Sequence, residues 1–172
     1  MKTSLSKLKH KNRGITMRYP QYQSDLQHIY QSEVYGANVF KVAGRLTLNR
    51  KKKDQWALLY DLEIQTLERF LLYIKETGQQ NNYPHIWALK GYIEGLVLGL
   101  LPWSVAMRLL AKETQSFISI WHRLKINSKG SEKEFFNYVY AHEKAIEAFA
   151  KRELMQGNNS IGPVRSLLGL SN

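Results

Sequence analysis

A chain of 172 residues is long enough for one domain with a buried core, and 44% hydrophobic with 12% aromatic content excludes a disordered polymer. Cysteine is absent, which removes disulfides, thiolate catalysis and thiolate-bound zinc or iron–sulfur sites, and fits a reducing, cytoplasmic location. The net charge of +11 is concentrated in residues 1–20, in the run Arg50-Lys51-Lys52-Lys53 and in residues 103–130, so the expected partner is anionic: nucleic acid, an acidic protein or an anionic lipid surface.

Residues 1–20 contain Lys2, Lys7, Lys9, Lys11, Arg13 and Arg18 with no apolar segment behind them. They read as a flexible basic tail rather than a secretory signal, leaving 21–172 as a single helical-bundle domain. Ser24 with Gln27 makes a capping box for a helix over 22–48. Asn49 and the basic run form a turn, Asp54 caps a second helix over 53–77, and Gly78 ends it. A polar loop, 78–83, leads to Pro84, suited to a first helical position, and the third helix runs to Leu101 before Pro102. From Gly91 to Met107 the only charge is Glu94, and Gly91, Gly95 and Gly99 recur at a spacing that lets helices approach closely. Lys90, Glu94 and Pro102 break this run below the length needed to cross a bilayer, so it reads as a buried central helix with no transmembrane segment. A fourth segment spans 103–126, opening near Ser104, and Asn127–Gly130 is a turn. Ser131 with Glu134 is a second capping box, opening a helix over 131–156 that Gly157-Asn158-Asn159 ends. The Pro163–Leu170 tail packs back through Val164, Leu167 and Leu168. With no strand pattern and no internal repeat, the fold class is all-α, a four- or five-helix bundle.

Catalytic motifs are sparse. His10, His28, His85, His122 and His142 show no zincin spacing, and no glycine-rich phosphate loop is present. The informative feature is a set of glutamates, each among apolar residues of a different helix. Glu33 shares a stripe with Leu26, Ile29, Tyr30, Ala37 and Phe40. Glu63 sits with Trp56, Leu59, Tyr60, Leu67 and Phe70. Glu94 lies in the apolar third helix, and Glu143 follows Phe136, Val139 and Tyr140. Burying an ionised carboxylate costs several kcal/mol, and facing carboxylates repel, so such a group calls for a cation or protons between its members.

The phrases Ser32-Glu33-Val34-Tyr35-Gly36, Leu62-Glu63-Ile64-Gln65-Thr66 and Ala141-His142-Glu143-Lys144-Ala145-Ile146-Glu147, over roughly residues 22–155, are similar to the ferritin-like superfamily of ferritins, rubrerythrins and di-iron oxygenases. The resemblance implies a ferritin-like four-helix bundle with an extra helical segment, and a di-iron or di-manganese carboxylate site. Glu33 and Glu94 match the family's single glutamates, while Glu63 and Glu143 match the glutamates of its two Glu-x-x-His motifs. Thr66 and Ile146 stand where the histidines belong. His142 is about 100° round the helix from Glu143, an angle from which it does not simply inherit their role. The metal candidates are therefore Glu33, Glu63, Glu94, Glu143 and His142, with iron or manganese as the expected ion.

Three functions follow. A ferritin-like scaffold that has lost its metal and acts as a binding protein is favoured, because both expected imidazoles are missing. Its buried glutamates would be neutral, or paired with Arg45, Lys90 or tyrosine hydroxyls. The alternatives are a metal-dependent oxidoreductase that recruits His142, Tyr30, Tyr60 or Glu147, and a basic adaptor for nucleic acid or an acidic protein.

Overall fold

The computed structural model describes residues 19–78 and 82–170. The described residues form helices and no strand: α1 (Tyr22–Leu46), α2 (Arg50–Thr77), α3 (His85–Leu100), α4 (Trp103–Asn127), α5 (Ser131–Leu154) and the short α6 (Gly162–Leu167). None of these helices is long and apolar enough to cross a membrane. Of the basic tail, residues 1–18 lie outside the described residues.

Two boundaries follow other chemistry than expected. Ser24 lies inside the first turn of α1 and donates its hydroxyl to the Gln21 carbonyl, so it caps nothing. The basic run belongs to α2 rather than to a turn, because the Asn49 side chain accepts from the Lys52 amide at 3.1 Å and caps the helix five residues earlier than an Asp54 cap allows. Gly78 closes α2 in the left-handed region at φ 68°, and Pro102 separates α3 from α4 as expected.

α1 with α2 and α4 with α5 form two hairpins that pack together as a four-helix core, closed at one end by α6, whose Val164 is fully buried. The apolar interior falls into two clusters. One contains Phe40, Trp56, Met107 and Phe149; the other contains Leu26, Ile29, Phe70, Trp121 and Phe136. Trp56 illustrates the packing: it stacks on Phe40, meets Trp103 edge-on and donates its indole N–H to Thr47.

α3 is not the central helix its composition suggests. It runs parallel to α1 on the outside, with Gly91 facing Tyr35, Gly95 facing Val39 and Gly99 facing Ala43. Many of its apolar side chains stay in solvent, Ile86 82% and Leu100 76% exposed. The glycines set the closest approach, with Trp87 edge-on to Tyr35 and Leu98 packed against the core beside them, and a Cβ on Gly91 would stand 2.3 Å from the Tyr35 carbonyl oxygen. Gly91→Ala must therefore push α3 off α1. We expect a loss of about 1–3 kcal/mol in denaturant unfolding, as for other overpacked sites; an unchanged unfolding midpoint would contradict the close approach.

Candidate metal centre

Between the two apolar clusters lies a polar layer. Glu33 of α1, Glu63 and Thr66 of α2, and His142 and Glu143 of α5 are all buried, Glu33, Thr66 and His142 completely. One ligand atom from each of Glu33, Glu63 and His142 falls within 4.8 Å of the others. His142 Nδ1 is 3.6 Å from Glu33 Oε2, and His142 Nε2 is 3.5 Å from Glu63 Oε1.

Glycine at position 36 makes room for this arrangement. It is one helical turn beyond Glu33, and a Cβ there would stand 2.5 Å from Glu63 Oε1. Gly36→Ala obstructs only the far end of a flexible side chain, so the Glu63 carboxylate swings aside while the backbone stays. Alanine also favours the helix by about 0.5–1 kcal/mol. The expected result is a melting temperature that is equal or higher in chelator, together with metal affinity reduced about 10–100-fold, the scale on which displaced or unsupported ligands act. Titration with Co(II) or Mn(II) checks it, and undiminished affinity would remove Glu63 from the centre.

Thr66 orients the imidazole. Its hydroxyl donates to the Leu62 carbonyl at 2.9 Å and lies 2.7 Å from His142 Nδ1. A hydroxyl has one proton to give, so Thr66 Oγ1 accepts from Nδ1–H, and the network assigns neutral His142 the tautomer with its lone pair on Nε2. Nε2 has no hydrogen-bond partner, and neither has either carboxylate oxygen of Glu33. The residue standing where a histidine was expected thus supports a histidine on the neighbouring helix. The Tyr138 hydroxyl extends the network, reaching Thr66 at 3.2 Å and donating to Gln65 at 3.1 Å.

The electrostatics are those of crowded, buried acids. Burial pushes the Glu33 carboxyl well above the usual range; His142 opposes this, while Glu63 and Glu143 add to it. Glu63 is raised well above its ordinary value, chiefly by burial. Glu143 is also raised by burial, against the influence of His142 and of the Trp121 indole N–H, which faces it without closing a hydrogen bond. Protons on these carboxyls are one way to relieve the repulsion, and a divalent cation is the other.

Of the five sequence candidates, Glu33, Glu63 and His142 come together; Glu143 is buried near enough to raise the Glu33 and Glu63 carboxyls, and Glu94 lies apart. Glu94 lies on α3, outside the four-helix core, with its side chain 38% exposed; it accepts from the Tyr35 hydroxyl and pairs with Lys90 at 3.6 Å. The helical-wheel argument against His142 also fails. α5 is covered on more than one side, by α4, α2 and α6, so positions about 100° apart can both face the interior. The other proposed recruits have different duties. Tyr30 stacks on Phe70, Tyr60 lies under Lys41, and Glu147 is held by Lys144, Lys151 and Gln115. Glu113 of α4 escaped the sequence reading, yet with Glu63 and Glu143 it lines a cavity of about 40 Å³ beside the cluster. Its signal was available, an acid within the one core helix that otherwise lacked a candidate.

Fold and site together define an all-helical protein with a buried Glu/His cluster compatible with a carboxylate metal site. No protein-family model, curated protein or solved structure matches the chain.

Proposed function

We propose that this protein is a ferritin-like, metal-dependent redox protein in which Glu33, Glu63 and His142 hold iron or manganese. The observation that supports it is His142 Nε2: buried, unpartnered, fixed as a lone-pair donor by Thr66, and aimed at a carboxylate. A lone pair facing a carboxylate is repulsive unless a cation or proton lies between them. One imidazole with two carboxylates suits a borderline-to-hard divalent ion such as iron or manganese. Three protein ligands leave positions open on either ion. The hairpin pairing of α1 with α2 and of α4 with α5 is consistent with the ferritin-like arrangement.

When bound, the metal supplies one-electron chemistry and a Lewis-acidic position. The chain does the rest. Glu33 and Glu63 offset the metal's charge, and Thr66 sets the imidazole's direction. The flanking apolar clusters keep bulk water from the layer. Glu143, whose carboxyl burial raises above the ordinary value, lines the cavity beside the layer.

Metal analysis of protein made in iron- and manganese-supplemented cells tests this reading. Wild type is expected to retain about one equivalent or more, and His142→Ala and Glu33→Gln to lose it. Metal content equal in all three, or absent from wild type, refutes the centre. The metal-free scaffold is the competing reading, favoured by Ile146 at a family histidine position and by the upward shift that burial gives the Glu33 and Glu63 carboxyls. Of its expected partners, Lys90 and a tyrosine hydroxyl do engage a glutamate, but that glutamate is Glu94.

A further inference from the structure

α3 leaves a row of large apolar side chains uncovered. Ile86, Leu89, Ile93, Val97 and Leu100 follow one another at steps of three and four residues, which sets them on one face of the helix. All five are more than half exposed. A surface helix normally turns such a row toward the core. Here the inward face is taken by Gly91, Gly95 and Gly99, so the bulky row points away from α1, the helix on which α3 mainly packs. Lys90 and Glu94, the charged side chains of α3, pair with each other at 3.6 Å and leave the row itself without charge. Basic side chains stand on both neighbouring helices. Arg45 is exposed on α1 beside Leu46, which packs at Gly99. Arg108 and Lys112 are exposed on α4 around Leu109, which shares a groove with Val97, and Glu113 of the same groove offsets one of these three cations.

From this arrangement we propose that the outer face of α3 docks onto a lipid surface containing anionic phospholipid. The apolar row enters the boundary between headgroups and acyl chains, and α3 lies in the plane of the surface. No described helix is long and apolar enough to cross a membrane, so α3 rests on the bilayer rather than spanning it. Arg45, Arg108 and Lys112 then meet lipid phosphates, and each cation near an anionic surface adds to the attraction. A second copy of the chain is the other natural cover for an apolar helix, and charge and area both disfavour it. Each chain carries a net charge of +11, so two copies repel where an anionic bilayer attracts. A 16-residue helix offers an outer face about 24 Å by about 10 Å, roughly 250 Å² against the ~800 Å² per partner of a stable interface. A lipid surface sets no such minimum, because it continues on every side. Docking of this kind is independent of the proposed metal centre.

Cosedimentation of the purified protein with lipid vesicles tests it. Vesicles of phosphatidylcholine and phosphatidylglycerol in equal parts are expected to bind roughly tenfold more tightly than vesicles of phosphatidylcholine alone. Ile93→Asp and Leu89→Asp each put a charge into the row and should each weaken binding roughly 10–100-fold, the worth of one buried apolar side chain. Both positions are more than half exposed, so the unfolding midpoints should stay at the wild-type value. Met155→Asp adds the same charge at an exposed position just beyond α5, which packs on α2, α4 and α6, and should leave binding within about twofold of wild type. Arg108→Gln should weaken binding to the anionic vesicles roughly fivefold, the effect of one charge at such a surface. Equal binding to the two kinds of vesicle overturns the proposal. So does binding to the anionic vesicles that survives both aspartate variants, because charge alone then brings the chain to the surface. A protein that ignores vesicles but elutes as a dimer, and as a monomer once Ile93→Asp is made, overturns it too and makes α3 an interface between copies.

Discussion

Removing metal from the purified protein with a chelator is expected to lower its melting temperature by about 5–10 °C. A ligand at a hundred times its dissociation constant stabilises the folded state by about 2.7 kcal/mol, and in a domain of this size each kcal/mol moves the midpoint about 2–4 °C. The effect should be large here because the cation relieves a defined defect: Glu33, Glu63 and Glu143 are buried together, and no lysine or arginine pairs with them among the described residues. Glu33→Gln should lose most of the chelator response. It should also be as stable as chelated wild type or more so, since an amide needs neither proton nor cation to be buried. Differential scanning calorimetry with and without EDTA, on both proteins, gives the four midpoints. A wild-type midpoint insensitive to EDTA would return the cluster to the metal-free scaffold reading.

Metal-free protein is expected to lose stability as pH rises from about 5 toward 8, the reverse of the usual carboxylate effect. Glu33, Glu63 and Glu143 all have folded-state pKa values raised above the ordinary 4.5. Above that value the unfolded chain releases protons that the folded chain keeps, so unfolding gains with each step in pH. Every proton retained in this way costs about 1.4 kcal/mol of stability per pH unit until the folded carboxyl itself ionises. Glu147 has the opposite sign. Burial alone would raise it, but hydrogen bonds from Lys144, Lys151 and Gln115 outweigh that and hold it at about 2. Its contribution is complete above 4.5 and is lost as pH falls toward 2. Bound metal replaces the protons, so its affinity should rise with pH and the gap between loaded and chelated midpoints should widen. Urea unfolding of EDTA-treated protein across this range measures the slope, and Glu33→Gln should reduce it. Stability that climbs steadily from about pH 5 to about pH 8 would mean that these carboxyls are not buried as a group.

Local chemistry made much of the fold legible. Helix ends at Gly78 and Pro102 depend on backbone freedom and on a missing N–H, properties of the residue itself, and both lie where the sequence puts them. The return of the tail through Val164 follows from apolar residues after a polar turn, and that side chain is fully buried. Glu33, Glu63 and Glu143 were recognisable as interior acids because each lies in a stripe whose other members can only face a core.

Tertiary contact decided the remainder. Hydropathy states that a segment is apolar, not which neighbour covers it, so α3 read as central while its packing is confined to the face with Gly91, Gly95 and Gly99. Glu94 leaves the candidate set for the same reason. A helical wheel presumes one buried face, and α5 has more than one, which admits His142 beside Glu143. Thr66 occupies a position where the sequence shows only a lost ligand. Its service to His142 depends on a 2.7 Å contact between two helices by residues 76 apart in the chain, and no spacing within a single helix encodes that distance.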